Sequence, residues 1–435
     1  MEKDLLQRSL DFIEDNLRSE ITLSDIAAEA GFSPFHFSRM FQGVIGMPVM
    51  AYVLRRRLFH AAFHISRGMD ASEAALAFGF DTYAGFYKAF VRAFDTTPAA
   101  IKKRGATLEP HRLDLLKGED CMISNEKINE LLLNWGLKAT TFVPVQYENS
   151  GFISDTAWYV GQEYVLKATG NLDGFKIHAA ITNALAGDGL AAPVPVPSAD
   201  GREYIQEGEW YFYLLPRLSG KPVNSKRLIE KDWAEKSFRL GSLVGQLHKA
   251  LKRHDQDIAA DDMDLAAALK DYALPRAKAV LALPQTYYDA YETRFLALYP
   301  LLPKHVIHKD PNPANILLQG DEFCGFIDFE LGLRSARLYD PCYLTTAILS
   351  ETLPQDDSPA YDKWFEVYHA VLRGYDSVCP LTKEEREAAP YMVFTIEMIC
   401  LAFFNETPKF QALAEVSNRM GRWLYKNRER LVLDQ

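Results

Sequence analysis

The chain has 435 residues, of which 48% are apolar and 24% charged, a composition typical of a folded protein and not of a disordered one. This length predicts two or three domains rather than a single core. No run of 18 or more apolar residues occurs and the N-terminus lacks an apolar signal segment, so we expect neither membrane attachment nor export. The five cysteines are scattered without metal-ligand spacing, which favours a reducing, cytoplasmic setting.

Charge is divided unequally along the chain. Residues 1–105 hold 13 Lys and Arg against 12 Asp and Glu, which is about +1, whereas the whole chain carries −10. Residues 106–435 therefore carry about −11. The two parts differ in electrostatic character, so we consider them separately.

The first part is predicted to be helical throughout and to contain a repeat. The stretch "GFSPFHFSRMF" (31–41) recurs as "GFDTYAGFYKAF" (79–90), and a long helix is predicted between the copies in "PVMAYVLRRRLFHAAFHIS" (48–66). Two copies of a short helix, a turn and a second helix are typical of paired helix-turn-helix modules.

On these residues the segment 1–105 resembles the DNA-binding domain of the AraC/XylS family of bacterial transcription regulators. The two "GF" turns and "TPAAI" (97–101) occur where that family's pattern has them, whereas Asp95 stands where the family usually has glycine. The resemblance implies that the second helix of each copy enters the major groove of DNA. The implied DNA-binding residues are Ser33, His36, Arg39, Thr82, Tyr83, Tyr87 and Lys88.

Other side chains of this part have two interpretations. The arginine run 55–57 either contacts DNA phosphates or forms a solvated helix face. Phe35 is a solvent-side candidate on the first recognition helix, whereas the other phenylalanines of the two copies, Phe37 and Phe86 among them, are predicted to be core.

Residues 106–126 mix glycine, proline and alternating charges, which predicts a linker. Short aromatic and β-branched segments then indicate strands in a small lobe, residues 127–223, interrupted by one helix over 175–189. Residues 224–435 are predicted to form a large, mostly helical lobe. The predicted fold is therefore multidomain, an all-α double helix-turn-helix domain followed by an α+β two-lobed domain.

The second part also contains polar residues with a spacing suited to phosphoryl transfer. "HKDPNPAN" (308–315) puts a histidine, an aspartate and an asparagine on one loop, "GFIDFELG" brings Asp328 after an apolar strand, and "YVLK" places Lys167 on a strand. Amide and carboxylate oxygens can hold Mg²⁺, a separate carboxylate can meet an acceptor hydroxyl, and a lysine can neutralise phosphates. Each fragment alone is more simply a capped turn or a strand end; in this order they indicate a kinase site.

Residues 127–435 thus resemble the aminoglycoside phosphotransferase and choline kinase family, small-molecule kinases with a protein-kinase-like fold. The resemblance implies that Asp310 is the catalytic base, that His308 braces the catalytic loop, and that Asp340 is a structural aspartate. It implies that Asn315 and Asp328 bind Mg²⁺. The residues implied to bind ATP or GTP are Lys167 on its strand, Ser150 and Gly151 in the nucleotide loop, and Leu215 and Leu218 in the hinge.

This sequence departs from the family pattern at three places. The nucleotide loop (147–156) contains only one glycine, Gly151, so the backbone amides that would hold phosphates are not evident. Lys309 stands where many of these enzymes have glycine. The helix 175–189 has no acidic residue before Asp188, so the usual glutamate partner of the phosphate-binding lysine is missing. Either another group, for example Asp173, orients Lys167, or catalysis is modest or lost.

Three functions remain open. The favoured one is a bacterial transcription regulator fused to an ATP- or GTP-dependent kinase that phosphorylates a hydroxyl of a metabolite or an aminoglycoside-like acceptor. The alternative is a transcription factor whose kinase-fold domain only senses a nucleotide or small ligand. A protein kinase ranks last, since no "DFG"-type glycine follows Asp328. The expected partners are DNA and a small-molecule acceptor or effector, with no membrane; homodimerisation is left open.

Overall fold

The computed structural model describes residues 2–45, 48–94, 97–104, 110, 112, 125–138, 141–146, 153–208, 210–352, 360–406 and 411–433. These form two compact units, one of residues 1–172 and 195–217 and the other of residues 173–194 and 218–435. Ser150, Gly151 and most of the predicted linker lie outside the described residues. The domain bounds inferred from the sequence stay predictions.

The helical half of the first unit contains the repeat. Its helices are α1 (Glu2–Asp15), α2 (Leu23–Glu29), α3 (Pro34–Ile45), α4 (Val49–Ser66), α5 (Ala71–Ala77), α6 (Tyr83–Phe94) and α7 (Pro98–Arg104). Thr22 and Asp25 form a capping box at the start of α2, and Asp70 caps α5 through the Ser72 amide at 2.8 Å. The first copy packs around buried Phe37 and the second around buried Phe86, as the sequence predicts.

The arginine run on α4 is largely structural. Arg56 is 4% exposed and pairs with Glu14 of α1, with Nε 2.5 Å from Oε1, and His60 lies 3.1 Å from the same carboxylate. Arg57 donates hydrogen bonds to the carbonyls of Leu17 at 3.0 Å and Ser19 at 2.6 Å. The interpretation of 55–57 as a phosphate-binding or solvated run is therefore wrong for Arg56 and Arg57, which join α4 to α1 and the residues that follow it.

The remainder of the first unit is a sheet covered by a helix. Its elements are α8 (Asn125–Leu132), β1 (Phe142–Gln146), β2 (Ile153–Val160), β3 (Tyr164–Thr169), β4 (Ile205–Glu207) and β5 (Trp210–Pro216), with a 3₁₀ turn at Leu133–Trp135. The strands are antiparallel in the order β1-β2-β3-β5-β4. Leu166 of β3 and Leu214 of β5 share one apolar core with Leu131 of α8.

The second unit begins with α9 (Leu172–Gly187), whose first residue still belongs to the other unit. Its other helices are α10 (Ser225–Leu228), α11 (Trp233–Arg253), α12 (Leu265–Ala267), α13 (Leu274–Leu281), α14 (Gln285–Leu298), α15 (Tyr339–Thr352), α16 (Ala360–Val378), α17 (Lys383–Glu406) and α18 (Gln411–Lys426), and its strands are β6 (Lys221–Pro222), β7 (Lys304–Ile307), β8 (Ile316–Gln319), β9 (Glu322–Phe326) and β10 (Leu333–Ala336). A π-helical segment at Ala268–Ala273 joins α12 to α13, and 3₁₀ turns occur at Tyr299–Leu301, Pro313–Asn315 and Arg428–Leu431. The strands form two small sheets, β6-β8-β9 and β10-β7, beside one large apolar core.

Helices α11 and α16 pack with backbone against backbone. A Cβ atom on Gly374 would lie 1.8 Å from the carbonyl oxygen of Phe238, and a Cβ atom on Gly241 would lie 1.9 Å from that of Val371. Ser242 Oγ donates a 3.1 Å hydrogen bond to the Gly374 carbonyl across the same contact. Only glycine allows this approach, so the two positions fix the distance between the helices.

Helix α17 is the one helix in the described part of the chain that is long and apolar enough to pass as a membrane span. Its most apolar window has a mean hydropathy of 1.5, and 61% of that window is buried in the protein, as in a core helix. It is weak evidence for a membrane. Glu397 of α17 is 2% exposed and contacts Ser417 of α18, and its Oε1 has no hydrogen-bond partner among the described residues.

We expect Gly374→Ala to destabilise the second unit by about 3 kcal/mol or more, since the added methyl group meets backbone that cannot move aside by a rotamer change. Thermal unfolding and amide hydrogen exchange of α11 and α16 would measure the loss. Gly187→Ala is the matched control, because a Cβ atom there meets nothing within 4 Å and we expect little change. Equal stability of the two variants would contradict the close helix contact.

Burial raises the pKa of Glu397 to about 8, against 4.5 for an ordinary glutamate. The folded state therefore holds this proton more tightly than the unfolded chain, and the contribution to stability falls as pH rises from about 4.5 towards 8. We expect Glu397→Gln to gain stability relative to wild type over that range, by up to about 1.4 kcal/mol per pH unit. Urea unfolding at several pH values measures the difference. Exposed Glu387→Gln is the control, and a pH-independent difference for Glu397→Gln would contradict the raised pKa.

Candidate active site

The loop after β7 is held by a buried carboxylate. Asp340, at the start of α15, is fully buried and accepts hydrogen bonds from the backbone N–H of His308 at 2.9 Å and of Lys309 at 3.0 Å. It also lies 2.8 Å from His248 Nε2 of α11, and His248 Nδ1 lies 2.9 Å from the Tyr375 hydroxyl of α16. The sequence predicts a structural role for Asp340. It does not identify the roles of His248 and Tyr375, for which it indicates only a position in a helix.

His308 is fully buried behind the loop. Its Nε2 lies 3.0 Å from the carbonyl oxygen of Ile327, which can only accept, so Nε2 carries the proton. Its ring packs against the Phe329 ring with centroids 4.4 Å apart. The geometry ties the loop to the segment that carries Asp328 and keeps the imidazole away from solvent.

The Asp310 carboxylate is oriented by two asparagines of its own loop. Asn312 Nδ2 donates to Oδ1 at 2.9 Å, and Asn315 Nδ2 donates to the Asp310 carbonyl at 2.9 Å and more weakly to Oδ2 at 3.3 Å. Burial raises the pKa of Asp310; the Asn312 hydrogen bond opposes this, and the negative charge of Asp328 adds to it. A carboxylate fixed in this way can accept a proton from a bound hydroxyl group.

Asn315 and Asp328 lie at the same end of the β8–β9 hairpin. Ile316 pairs with Phe326, and the ladder continues through the Ile327 N–H, which donates to the Asn315 carbonyl at 3.0 Å. Because the Asn315 amide nitrogen is turned to Asp310, its side-chain oxygen is the atom left to bind a cation. Asp328 has a left-handed φ of 67°, a conformation that is unusual outside glycine and that occurs at functional sites. An amide oxygen beside a carboxylate suits Mg²⁺.

Lys309 also has a left-handed backbone, with a φ of 69°. Glycine adopts this conformation without strain, which gives a physical reason for the family's preference for glycine there. The two N–H···Asp340 hydrogen bonds hold the strained residue in place. Burial lowers the pKa of the Lys309 side chain, and the neighbouring Asp310 charge opposes that shift.

Helix α9 contributes a buried histidine that contacts the segment of Asp328. His178 is fully buried; its Nδ1 accepts a 3.3 Å hydrogen bond from the Phe329 N–H, and its Nε2 donates to the Pro193 carbonyl at 3.2 Å. His178 therefore fixes the residue that follows Asp328. Asp173, suggested as a substitute partner for the phosphate-binding lysine, is 3.2 Å from Lys176 of its own helix, and both are largely exposed.

The candidate nucleotide residues lie elsewhere in the chain. Lys167 of β3 is opposite Ala157 of β2 and Tyr213 of β5, and the alternation of the strands puts it on the face opposite the core residue Leu166. Leu215 is buried on β5, and Leu218 is half-buried, with its side chain against Gly325. The roles of these residues stay predictions.

The residues predicted to bind DNA are all exposed in the first unit. They are Ser33, His36, Arg39, Thr82, Tyr83, Tyr87 and Lys88. Ser33 Oγ accepts the His36 N–H at 3.4 Å and Thr82 Oγ1 accepts the Gly85 N–H at 3.1 Å, so both hydroxyls also cap the recognition helices.

Comparison with known families matches both parts of the chain. A helix-turn-helix domain model matches residues 26–104, and a phosphotransferase enzyme family model matches residues 149–381, more than half of the chain. The HTH-type transcriptional activator AarP of Providencia stuartii is 30% identical over 102 residues, which is 23% of this chain and 76% of that protein. The probable transcription factor PqrA of Proteus vulgaris is 32% identical over 114 residues, 26% of this chain and 93% of its own length.

The second part has kinase relatives. A homoserine kinase of Sinorhizobium medicae is 28% identical over 270 residues, 56% of this chain and 72% of that enzyme. Among solved structures, the microcompartment-associated aminopropanol kinase matches with a TM-score of 0.51 at 17% identity, over 72% of this chain and 100% of that one, which is a likeness of fold alone. The predicted multidomain fold is confirmed. The chain belongs to the phosphotransferase enzyme family and, through its N-terminal part, to the family of AraC-type helix-turn-helix regulators.

Proposed function

We propose that this protein is a DNA-binding regulator joined to a working kinase that transfers the γ-phosphoryl group of ATP or GTP to a hydroxyl of a small molecule. The main support for kinase activity is the Asp310 carboxylate, which Asn312 and Asn315 hold in place on a loop that Asp340 keeps rigid. A cytoplasmic location is part of the same proposal.

In this proposal Asp310 accepts the proton of the acceptor hydroxyl, and Asn312 and Asn315 keep its carboxylate aimed. The Asn315 and Asp328 side-chain oxygens would hold Mg²⁺, which when bound with the nucleotide neutralises charge on the phosphates. His308 and Asp340 keep the loop in one conformation, so little conformational entropy is lost when substrate binds.

The acceptor is proposed to be a small hydroxylated metabolite or an aminoglycoside-like compound. Support comes from the homoserine kinase relatives, whose name identifies a hydroxyl-bearing amino acid as their substrate, at 28% identity or below in the matched part. A panel of hydroxylated amino acids, amino alcohols and aminoglycosides is therefore the first to test.

A second candidate is a sensor that binds nucleotide or a small ligand without transfer. It is favoured by α9, where His178 is committed to Phe329 and Pro193 and Asp173 to Lys176. In either case we propose that ligand binding in the kinase domain alters DNA affinity, a coupling of typically ~1–3 kcal/mol.

Asp310→Asn should lower phosphate transfer to the acceptor panel by about 10²- to 10⁴-fold, since the variant cannot accept the proton, while nucleotide binding persists. Transfer from radiolabelled nucleotide and calorimetric nucleotide binding measure the two effects. The control is Asp321→Asn on the exposed β8–β9 turn. Transfer that is equal in wild type and Asp310→Asn would exclude Asp310 as the base, and nucleotide binding with no transfer by wild type would favour the sensor.

Lys167→Met should weaken nucleotide binding by at least about tenfold, because it removes a cation assigned to the phosphates. Titration with ATP and with GTP, each with Mg²⁺, measures the affinity and compares the two nucleotides. Lys176→Met, at an exposed position of α9, removes a lysine without that role and should bind as wild type does. An unchanged affinity of Lys167→Met would remove this residue from the nucleotide site.

A further inference from the structure

One oxygen of Asp340 is shared by two donors from different elements. Oδ2 lies 2.9 Å from the backbone nitrogen of His308 and 2.8 Å from Nε2 of His248 on α11, whereas Oδ1 accepts the Lys309 N–H at 3.0 Å. An imidazole that turns or shifts therefore moves the oxygen that holds the candidate catalytic loop. The position of the loop backbone depends on what fixes the His248 ring.

The hydrogen bonds of the His248 ring have a defined direction. A carboxylate only accepts hydrogen bonds, so Nε2 carries the proton that binds Asp340. In a neutral imidazole Nδ1 is then an acceptor, and the Tyr375 hydroxyl of α16 lies 2.9 Å from it. Burial raises the pKa of Tyr375, so its hydroxyl keeps the proton that it donates to Nδ1. The donors therefore point from Tyr375 through His248 to Asp340.

Ring packing alone does not orient the two nitrogen atoms. The His305 ring of β7 meets the His248 ring edge to face, with centroids 4.9 Å apart and planes at 88°. Burial lowers the pKa of His305 to about 3, so this neighbour brings no charge. A contact between rings hardly distinguishes a nitrogen atom from a carbon atom at the ring edge. A flipped His248 would turn carbon atoms towards Tyr375 and Asp340, and the two hydrogen bonds exclude that orientation.

Tyr375 is itself held in place on two sides. Gly374, the preceding residue, lies in the close backbone contact with Phe238 of α11. The guanidinium carbon of Arg337 is 6.0 Å from the centroid of the Tyr375 ring, and Arg337 donates two hydrogen bonds to Glu385, at 2.8 and 2.7 Å. The hydroxyl that meets His248 therefore projects from a fixed backbone and a ring beside a buried ion pair.

We propose that Tyr375 is a positioning residue of the kinase. Its hydroxyl holds His248 in the orientation that presents the Nε2 proton to Asp340, and Asp340 holds the backbone from which Asp310 projects. This rests on the proposed phosphate transfer. The effect of Tyr375 reaches Asp310 through two side chains and the loop backbone.

The same helix provides a matched control. Tyr368 is also fully buried on α16, and its hydroxyl donates a 3.0 Å hydrogen bond to the Leu431 carbonyl near the end of the chain. Tyr375→Phe and Tyr368→Phe each delete one buried hydroxyl, keep the ring and remove the donor from one acceptor. A purely structural role predicts similar consequences for both variants, whereas a positioning role affects the loop only through Tyr375.

The kinetic test uses the full-length protein and the acceptor identified from the panel proposed above. We expect Tyr375→Phe to lower kcat by about tenfold with little change in KM for nucleotide or acceptor, since one buried acceptor loses its donor and the loop loses its fixed position. Tyr368→Phe should keep the kcat of wild type. Equal kcat values for the two variants, corrected for the folded fraction by urea unfolding, would overturn the positioning role.

A second measurement needs no substrate and so separates this inference from the kinase function. We expect the N–H groups of His308 and Lys309 to exchange with solvent about tenfold faster in Tyr375→Phe than in Tyr368→Phe. In protein labelled with ¹⁵N-histidine, the His248 ring signals should change in Tyr375→Phe alone. Unchanged amide exchange and ring signals contradict the inference even where wild type transfers phosphate. If wild type transfers none, the kinase function and the catalytic part of the inference are both wrong, and the amides still decide whether Tyr375 holds the loop.

Discussion

The candidate catalytic loop depends on one buried carboxylate. Asp340 accepts hydrogen bonds from two successive backbone N–H groups, and these hold Lys309 in a left-handed conformation that a lysine does not favour. A buried charge is costly unless it is fully hydrogen-bonded, and the third contact, from His248, meets that requirement. The direction of the Asp310 side chain follows from this backbone geometry.

The same logic extends along the β8–β9 hairpin. His308 on the loop, Ile327 before Asp328, and His178 on α9 each make a hydrogen bond to a neighbouring segment. The loop, the hairpin and the helix are therefore linked by polar contacts inside an apolar core. Such networks specify one arrangement because an unmade hydrogen bond is expensive in that environment.

Sequence reasoning identified the parts that depend on local order. The repeat, the strand and helix types and the spacing from His308 to Asp328 are properties of neighbouring residues, so periodicity and family resemblance were sufficient. Contacts between distant segments were not accessible in this way. His248 reads as one polar position on an amphipathic helix, and nothing near it indicates Asp340 across 92 positions. Arg56 and Arg57 were misread for the same reason, since their partners lie on the segment that begins the chain.

The glycine contact between α11 and α16 limits which substitutions this protein can accept during evolution. Gly374 immediately precedes Tyr375, whose hydroxyl lies 2.9 Å from His248 Nδ1. The distance between the two helices therefore also affects how His248 supports the candidate catalytic loop. Any side chain acquired at Gly374 or Gly241 would widen that gap and release His248 from one of its two contacts. Substitution at these two positions is therefore constrained by the hydrogen bonds that hold the candidate catalytic loop, although neither glycine belongs to that loop.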